Sequence, residues 1–215
     1  MFGRKKKHEA VDAVEEKEES RLPRMGDDDP IWGTPGPRSA HEVDLSEGYI
    51  DLGSILIPTV KGMQLRTQVA DDKKTVLRIL IVLGVSGIQM SVAAAPRSGG
   101  VWDEVREEIR SQLTTDGAKV EDLTTRYGAE LLADVPVEMP DGRAATSRMR
   151  IIGREGPRWF ARIDIIGPAA DDDEAGAEIE KVIDRIVVRR DDQPRARLDL
   201  LPLHLPAGAT QTPDL

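Results

Sequence analysis

The sequence has 215 residues, of which 39% are hydrophobic but only 3% aromatic; it has no cysteine and a net charge of −9 at pH 7. This composition predicts one domain with an aliphatic core and additional terminal segments. The lack of cysteine excludes disulfides and thiol catalysis, removes the usual structural zinc sites, and is compatible with a reducing cytoplasm. The acidic balance disfavours nucleic-acid binding by the whole surface, because phosphate contacts need lysine and arginine.

The first 39 residues combine charge runs with few apolar side chains. Basic Arg4–Lys7 precedes the acidic stretches Glu15–Glu19 and Asp27–Asp29. Such a segment buries too little apolar surface to offset its ordering entropy, so we expect residues 1–39 to form a disordered, charged tail. Arg4–Lys7 could contact anionic lipid or nucleic acid, although its acidic neighbours favour a solvated tail. No apolar run follows Arg4–Lys7, so we expect no signal peptide.

Four stretches in the next part of the chain have the pattern of β-strands. The third and fourth are nearly continuous apolar runs joined by a glycine-containing turn, which predicts a hairpin at the centre of the core. A membrane span would need about 20 apolar residues, and polar side chains interrupt these runs. The first stretch contains Gly53 as a possible bulge. The predicted strands are Tyr49–Ile57, Met63–Val69, Val76–Leu83 and Ile88–Ala95.

An amphipathic helix is predicted after this hairpin, with Gly117 as its stop signal. We expect the tryptophan at its start to pack the helix onto the sheet. The stretch Val120–Val137 is weakly patterned, and Pro136 argues against regular structure there. The apolar face of the helix consists of Trp102, Val105, Ile109 and Leu113.

Hairpin, linker and helix occur a second time in Arg148–Val188. Strands are predicted at Arg148–Gly153 and Arg158–Ile166, and a helix with an acidic start follows Gly167. The economical architecture is an α+β domain over residues 40–193, with an antiparallel or mixed sheet and two amphipathic helices packed on it. Residues 194–215 are expected to form a proline-rich, extended tail whose leucines lie along the domain. One face of the last strand is expected to contain Trp159, Ala161, Ile163 and Ile165.

Three motifs connect the chain to a known family. They are DLGSILIP at Asp51–Pro58, APRSGGVWDEVR at Ala95–Arg106 and GPRWFARIDIIGPAA at Gly156–Ala170. With these motifs, residues 40–205 resemble an uncharacterised family of high-GC Gram-positive bacteria, described as a domain of unknown function. The resemblance implies a cytoplasmic bacterial protein, and it carries no catalytic residue, substrate or cofactor.

The first candidate site is the loop before the first helix, Arg97-Ser98-Gly99-Gly100. Glycines there let backbone N–H groups approach a phosphate, and a helix N-terminus favours negative charge. Arg97 could add a bidentate contact and Ser98 a hydrogen bond. Against an anion site, the loop lacks the spacing of a P-loop, and many helices begin after glycine for geometric reasons.

The second candidate site comprises Arg154, Arg158 and Trp159, around the second hairpin turn. Arginine beside an aromatic side chain is typical of protein interfaces and can also stack on nucleobases. In the alternative interpretation, Trp159 is buried in the core and both arginines are solvated.

Catalytic patterns have little support in this sequence. The histidines, His8, His41 and His204, lie in predicted tails or edges, and Ser86 lies in GVSG rather than in a nucleophile elbow. A hydrolase with two carboxylates stays open, although no spacing pairs the strand carboxylates. We therefore expect a cytoplasmic, non-enzymatic domain that binds a protein partner or itself, without cofactor or metal. The alternatives are a phosphate- or nucleotide-binding regulator that uses Arg97–Gly100, and a weak nucleic-acid binder.

Overall fold

The computed structural model describes residues 21–70 and 75–205. These residues contain two α-helices and two β-sheets. The predicted α+β class is confirmed, and so is the repeated order of hairpin, linker and helix. Arg4–Lys7, Glu15–Glu19 and His8 lie outside the described residues. The helices are α1 (Trp102–Thr115) and α2 (Asp173–Ile183). The strands are β1 (Arg38–Ser39), β2 (Tyr49–Asp51), β3 (Ile55–Pro58), β4 (Gln64–Val69), β5 (Val76–Leu83), β6 (Ser86–Ala94), β7 (Lys119–Thr125), β8 (Gly128–Glu138), β9 (Ala144–Gly156), β10 (Trp159–Ile166) and β11 (Val187–Val188).

The larger sheet has seven antiparallel strands in the order β4-β5-β6-β10-β9-β8-β7. The two predicted hairpins lie side by side in it, because β6 pairs with β10 and places Met90 opposite Ile163. Both strands are buried in the middle of the sheet, which explains their nearly continuous apolar sequence. No helix of the described part is long and apolar enough to cross a membrane.

The two helices pack on opposite faces of this sheet. On one face, Ile152 and Ile163 join the main core cluster with Ile179 and Ile183 of α2. On the other face, Ile151 packs in a separate cluster with Ile109 of α1. Neighbouring residues of a strand point to opposite faces, so Ile151 faces α1 and Ile152 faces α2. The predicted inward face of β10 is confirmed, since Trp159, Ala161, Ile163 and Ile165 all belong to the main cluster.

The predicted strand Tyr49–Ile57 is wrong as a single element. It is divided into β2 and β3, which pair antiparallel with Tyr49 opposite Pro58. Gly53 lies between them with φ of 89°, a left-handed conformation that glycine adopts without strain. The glycine therefore marks a turn instead of a bulge. The pair belongs to the smaller sheet, whose order is β1-β11-β3-β2.

The weakly patterned stretch Val120–Val137 contains two regular strands, β7 and β8, contrary to the prediction. β7 is an edge strand of the seven-stranded sheet, so several of its side chains are exposed and polar. Pro136 lies beyond the last β7–β8 pair, which joins Lys119 to Asp134. On that side the strand has no neighbour, and the missing N–H of Pro136 removes no ladder bond there.

Residues 21–39 contact the domain, although the sequence predicted a disordered tail up to residue 39. Trp32 is buried together with Leu56 and Val187 of the smaller sheet. Arg38–Ser39 forms β1 and pairs in parallel with β11. The composition of the segment predicted no packing on the domain, and Trp32 supplies the apolar contact that makes this packing possible. At the other end, Leu201 is buried and donates its N–H to the Val92 carbonyl, so the expected leucine strip lies along the domain.

A hydrogen bond fastens this N-terminal segment to the seven-stranded sheet. The buried Trp159 Nε1 donates to Ser39 Oγ at 3.0 Å. We expect Ser39→Ala to lower the free energy of unfolding by about 1–2 kcal/mol, because a buried donor loses its partner. Urea denaturation measures the change, and Ser98→Ala in an exposed loop is the control, expected to stay within about 0.5 kcal/mol of wild type. Equal stability of the two variants would contradict this assignment.

Candidate ligand-binding face

The N-terminus of α1 already holds an anion, and that anion is Glu155 of β9. Glu155 Oε2 accepts the N–H of Gly100 at 2.7 Å, and Oε1 accepts the N–H groups of Val101 and Trp102 at 2.6 and 2.5 Å. Glu155 thus accepts from the first residue of α1 and from the two residues before it, and its negative charge also suits the helix dipole.

An external phosphate would have to displace Glu155 from these donors. Gly99 leaves room for the carboxylate, because a Cβ at Gly99 would lie 2.6 Å from Glu155 Oε2. Arg97 and Ser98 are exposed beside it, and neither side chain makes a hydrogen bond or ion pair within the described ranges. The geometry favours the structural interpretation of Arg97–Gly100, and an external anion at this loop stays a prediction.

The residues of the second candidate site do not share one exposed surface. Trp159 is buried in the main core. Arg154 points to the inside of the domain, where its Nη2 donates to the Pro35 carbonyl at 3.1 Å. Arg158 lies in the turn with φ of 67°; its side chain is 31% exposed, and its Nη1 lies 3.7 Å from Asp192. Both arginines are therefore partly exposed while Trp159 is not, and binding through all three residues stays a prediction.

A buried network of charged groups around Tyr127 was not predicted from the sequence. The Tyr127 hydroxyl donates to Asp184 Oδ1 at 2.9 Å, and Arg126 Nη1 donates to Asp184 Oδ2 at 2.8 Å. The backbone N–H of Gly36 donates to the same carboxylate at 2.9 Å. Arg126, Arg150 and Arg154 lie 5.3, 5.7 and 5.9 Å from the centre of the Tyr127 ring.

The network continues to a fully buried carboxylate, Glu130 on β8. Arg150 contacts Glu130 through Nε and Nη2, and its Nη1 donates to Glu180 of α2 at 2.8 Å. The contacts of Arg150 with Glu180 and of Gly36 with Asp184 connect the sheet, α2 and the N-terminal segment. The network therefore stabilises the fold. Burial raises the pKa of the Tyr127 phenol, so the phenol keeps its proton at neutral pH.

The remaining candidates of the sequence lie apart from one another. Ser86 is buried and its Oγ accepts the N–H of Ala169 at 3.1 Å. Exposed His204 lies 3.8 Å from Asp51, which also pairs with Arg189. Across residues 21–70 and 75–205, no group of three or more histidine, aspartate or glutamate side chains has the arrangement of a metal site.

On the side of α1, one half of the seven-stranded sheet has none of the described helices over it. The helix lies over β7, β8 and β9. Cross-strand register places Arg66, Leu80, Gln89 and Asp164 in one row that ends at Ile151, beneath α1. The side chains of this row therefore point to the same side as α1. We call this surface the arginine face; its polar residues are Gln64, Arg66, Gln68, Arg78, Gln89, Ser91, Arg162 and Asp164.

Among the residues that the structure describes, the arginine face carries more guanidinium groups than carboxylates. Arg66 and Arg78 make no hydrogen bond and no ion pair with the residues that the structure describes. Arg162 Nε donates to Asp164 Oδ1 at 2.8 Å, and the Asp164 side chain is only 4% exposed. Three guanidiniums thus face one carboxylate, on a protein whose net charge is −9.

Two cavities adjoin at Arg162. A groove of about 430 Å³ runs between the edge of α1 and the sheet. A smaller polar cavity of about 50 Å³ lies on the other side of Arg162, over β5, β6 and β10. The groove is lined by Val105, Glu108, Ile109, Gln112, Leu113 and Arg162. The cavity is lined by Arg78, Gln89, Met90, Ser91, Arg162 and Asp164.

Asp164, on the arginine face, is expected to make the stability of the protein depend on pH. Burial raises the pKa of its carboxyl above the ordinary 3.8, although the neighbouring Arg162 and Arg78 oppose the shift. The folded state therefore binds the proton more tightly, and this contribution to stability is lost as pH rises from about 4 through the folded pKa. We expect the unfolding free energy of wild type minus that of Asp164→Asn to fall over this range. Denaturation at a series of pH values tests it, and a rising difference would contradict the prediction.

Sequence reasoning missed this surface for a definite reason. The alternation of Gln64, Arg66 and Gln68 indicated an exposed strand face, and Arg78 and Arg162 stood out as charged residues inside apolar runs. A charged residue within a buried strand is the signal that could have found the face. The pairing of β6 with β10, which unites them, joins residues far apart in sequence.

Comparison with known families places most of the chain in one of them. The family described as "Protein of unknown function (DUF3710)" matches residues 36–212. The match begins within the N-terminal segment, just before β1, and includes the arginine face and α1. A comparison with curated proteins found no match. The chain belongs to the DUF3710 family, a family of unknown function.

Proposed function

We propose that this protein is a non-enzymatic protein-interaction domain that binds an acidic segment of a partner on its arginine face. The observation that carries the proposal is that Arg66 and Arg78 form no ion pair with the described residues and lie on a sheet face over which no described helix lies. A cytoplasmic location belongs to the same proposal and rests on the cysteine-free composition and the family resemblance.

Charge complementarity selects the kind of partner. Most arginines of the described chain are used by internal ion pairs, so two unpaired ones on a single face are a departure from the rest of the surface. Half-buried Leu80 lies opposite Arg66 and beside Arg78 on this face, and half-buried Val82 follows it along β5; both add apolar area. Because guanidiniums form forked hydrogen bonds with carboxylates, an acidic segment with some apolar side chains fits the face.

A nucleic acid fits the same face less well. Single-stranded nucleic acids are commonly bound by aromatic stacking, and the arginine face has no aromatic side chain among its polar and half-buried residues. Three arginines on a protein of net charge −9 supply few phosphate contacts. A protein segment is therefore the better ligand.

Fluorescence polarisation with labelled polyglutamate tests the proposal. The full chain is compared with an Arg66→Gln/Arg78→Gln variant and with Arg97→Gln, an arginine that is also unpaired but lies outside the face. We expect polyglutamate to bind wild type and Arg97→Gln alike, to bind the double variant at least about tenfold more weakly, and to weaken as salt screens the charges.

Two further probes separate the rivals. Binding of polylysine, or of polyglutamate equally to all three proteins, would overturn the arginine face as the site. Binding of a single-stranded oligonucleotide that depends on Arg66 and Arg78, without polyglutamate binding, would replace the proposal by nucleic-acid recognition. Sedimentation of the protein alone at the same concentrations separates partner binding from self-association.

A further inference from the structure

A polar cavity and a groove lined by both apolar and polar side chains meet at one residue, Arg162. Arg162 uses Nε to hold Asp164, while its two terminal nitrogens have no partner among the described residues. Arg78 lines the same cavity without a hydrogen bond or ion pair to the described chain. The charged groups that line the cavity are two guanidiniums, Arg78 and Arg162, and one carboxylate, Asp164, so positive charge exceeds negative charge by one. A second carboxylate would balance this charge, and Ser91, which lies opposite Arg162, can donate a further hydrogen bond.

The groove beyond Arg162 has a different chemistry. Val105, Ile109 and Leu113 line it along the edge of α1. Its volume of about 430 Å³ is in the range of ligand pockets, roughly 300–1,000 Å³. Glu108 also lines the groove and would repel a carboxylate there. An apolar side chain fits the groove, and an acidic one is confined to the cavity.

Resting on the proposed function, we infer that the arginine face recognises a partner segment by two adjacent side chains of opposite character. An aspartate or glutamate carboxylate binds between Arg78 and Arg162, and a nearby apolar side chain enters the groove beside α1. The carboxylate fixes the position of the segment through forked hydrogen bonds, and the apolar side chain adds buried area. The partner is thus a peptide segment that combines one acidic residue with a neighbouring apolar residue.

Selection from a displayed library of random peptides on the full-length protein tests this inference. We expect the enriched peptides to contain an acidic and an apolar residue at a constant spacing. An enriched peptide should bind Arg78→Gln at least about tenfold more weakly than wild type, and Val105→Ala severalfold more weakly. Arg97→Gln is the matched control and should bind like wild type. Circular dichroism and urea denaturation check that each variant remains folded.

A double-mutant cycle assigns the carboxylate to its partner. The enriched peptide with its acidic residue changed to the amide should lose affinity for wild type and lose little more for Arg78→Gln, because both changes remove one interaction. Additive losses would overturn the pairing. Enrichment of acidic peptides without an apolar residue would overturn the inference and leave the proposed function intact. Enrichment of basic or neutral peptides, or binding indifferent to Arg78, would overturn both.

Discussion

Replacing Glu130 with leucine is expected to lower the free energy of unfolding by about 3–5 kcal/mol. The Glu130 side chain is fully buried, and Arg150 contacts it through Nε and Nη2. The substitution leaves the Arg150 guanidinium buried with only Glu180 as its carboxylate partner. Chemical denaturation measures the loss, and Glu138→Leu, an exposed site on the same strand, should stay within about 0.5 kcal/mol of wild type.

The double variant Glu130→Leu/Arg150→Met shows which part of this cost comes from the unpaired charge. Buried ion pairs can often be replaced by apolar residues of similar volume at little cost, so we expect the double variant to be more stable than Glu130→Leu. If the loss of unfolding free energy in the double variant equalled the sum of the losses in the two single variants, Glu130 and Arg150 would not act as one buried pair.

Replacing Glu155 with alanine is expected to destabilise the protein by about 2 kcal/mol, because three backbone N–H groups at the start of α1 lose a charged acceptor. Urea denaturation measures the change. Glu107→Ala is the matched control, since Glu107 is an exposed carboxylate on the same helix. It should cost no more than about 0.5 kcal/mol.

Inorganic phosphate separates the internal anion from an external one at this helix. We expect phosphate to raise the denaturation midpoint of Glu155→Ala more than that of wild type, because the variant frees the donors that Glu155 occupies. If phosphate stabilises wild type and Arg97→Ala abolishes the effect, the loop Arg97–Gly100 binds an external anion, and the regulator alternative gains support.

The elements of the domain follow from local sequence patterns, and their arrangement does not. Spacings of three and four predict α1 from Trp102 onward, and the apolar runs predict β5, β6 and β10. The turn at Gly53 and the edge strand β7 were missed, because one glycine fits both a bulge and a turn, and an exposed edge weakens the apolar alternation. Ile31 and Trp32 form an apolar pair within a charged segment, and local sequence does not show that Trp32 packs against Val187 of β11 and Leu56 of β3.

The candidate site depends on contacts between distant parts of the chain. Arg78 and Arg162 reach one cavity only because β6 pairs with both β5 and β10. Because α1 lies over β7, β8 and β9, no described helix covers the arginine face, and local sequence patterns do not encode that placement. Glu155 reaches the N-terminus of α1 from a neighbouring strand, and local sequence around the helix start does not show this contact.

The most direct test of the central claim is an amide NMR titration of the full chain with a peptide enriched in the selection. We expect the largest changes in chemical shift at Arg78, Gln89, Ser91 and Arg162, with smaller changes along the adjoining edge of α1. Amides around Arg97–Gly100 and around Arg158 should stay unchanged. Changes centred on either of those two sites, with the arginine face unaffected, would contradict the account.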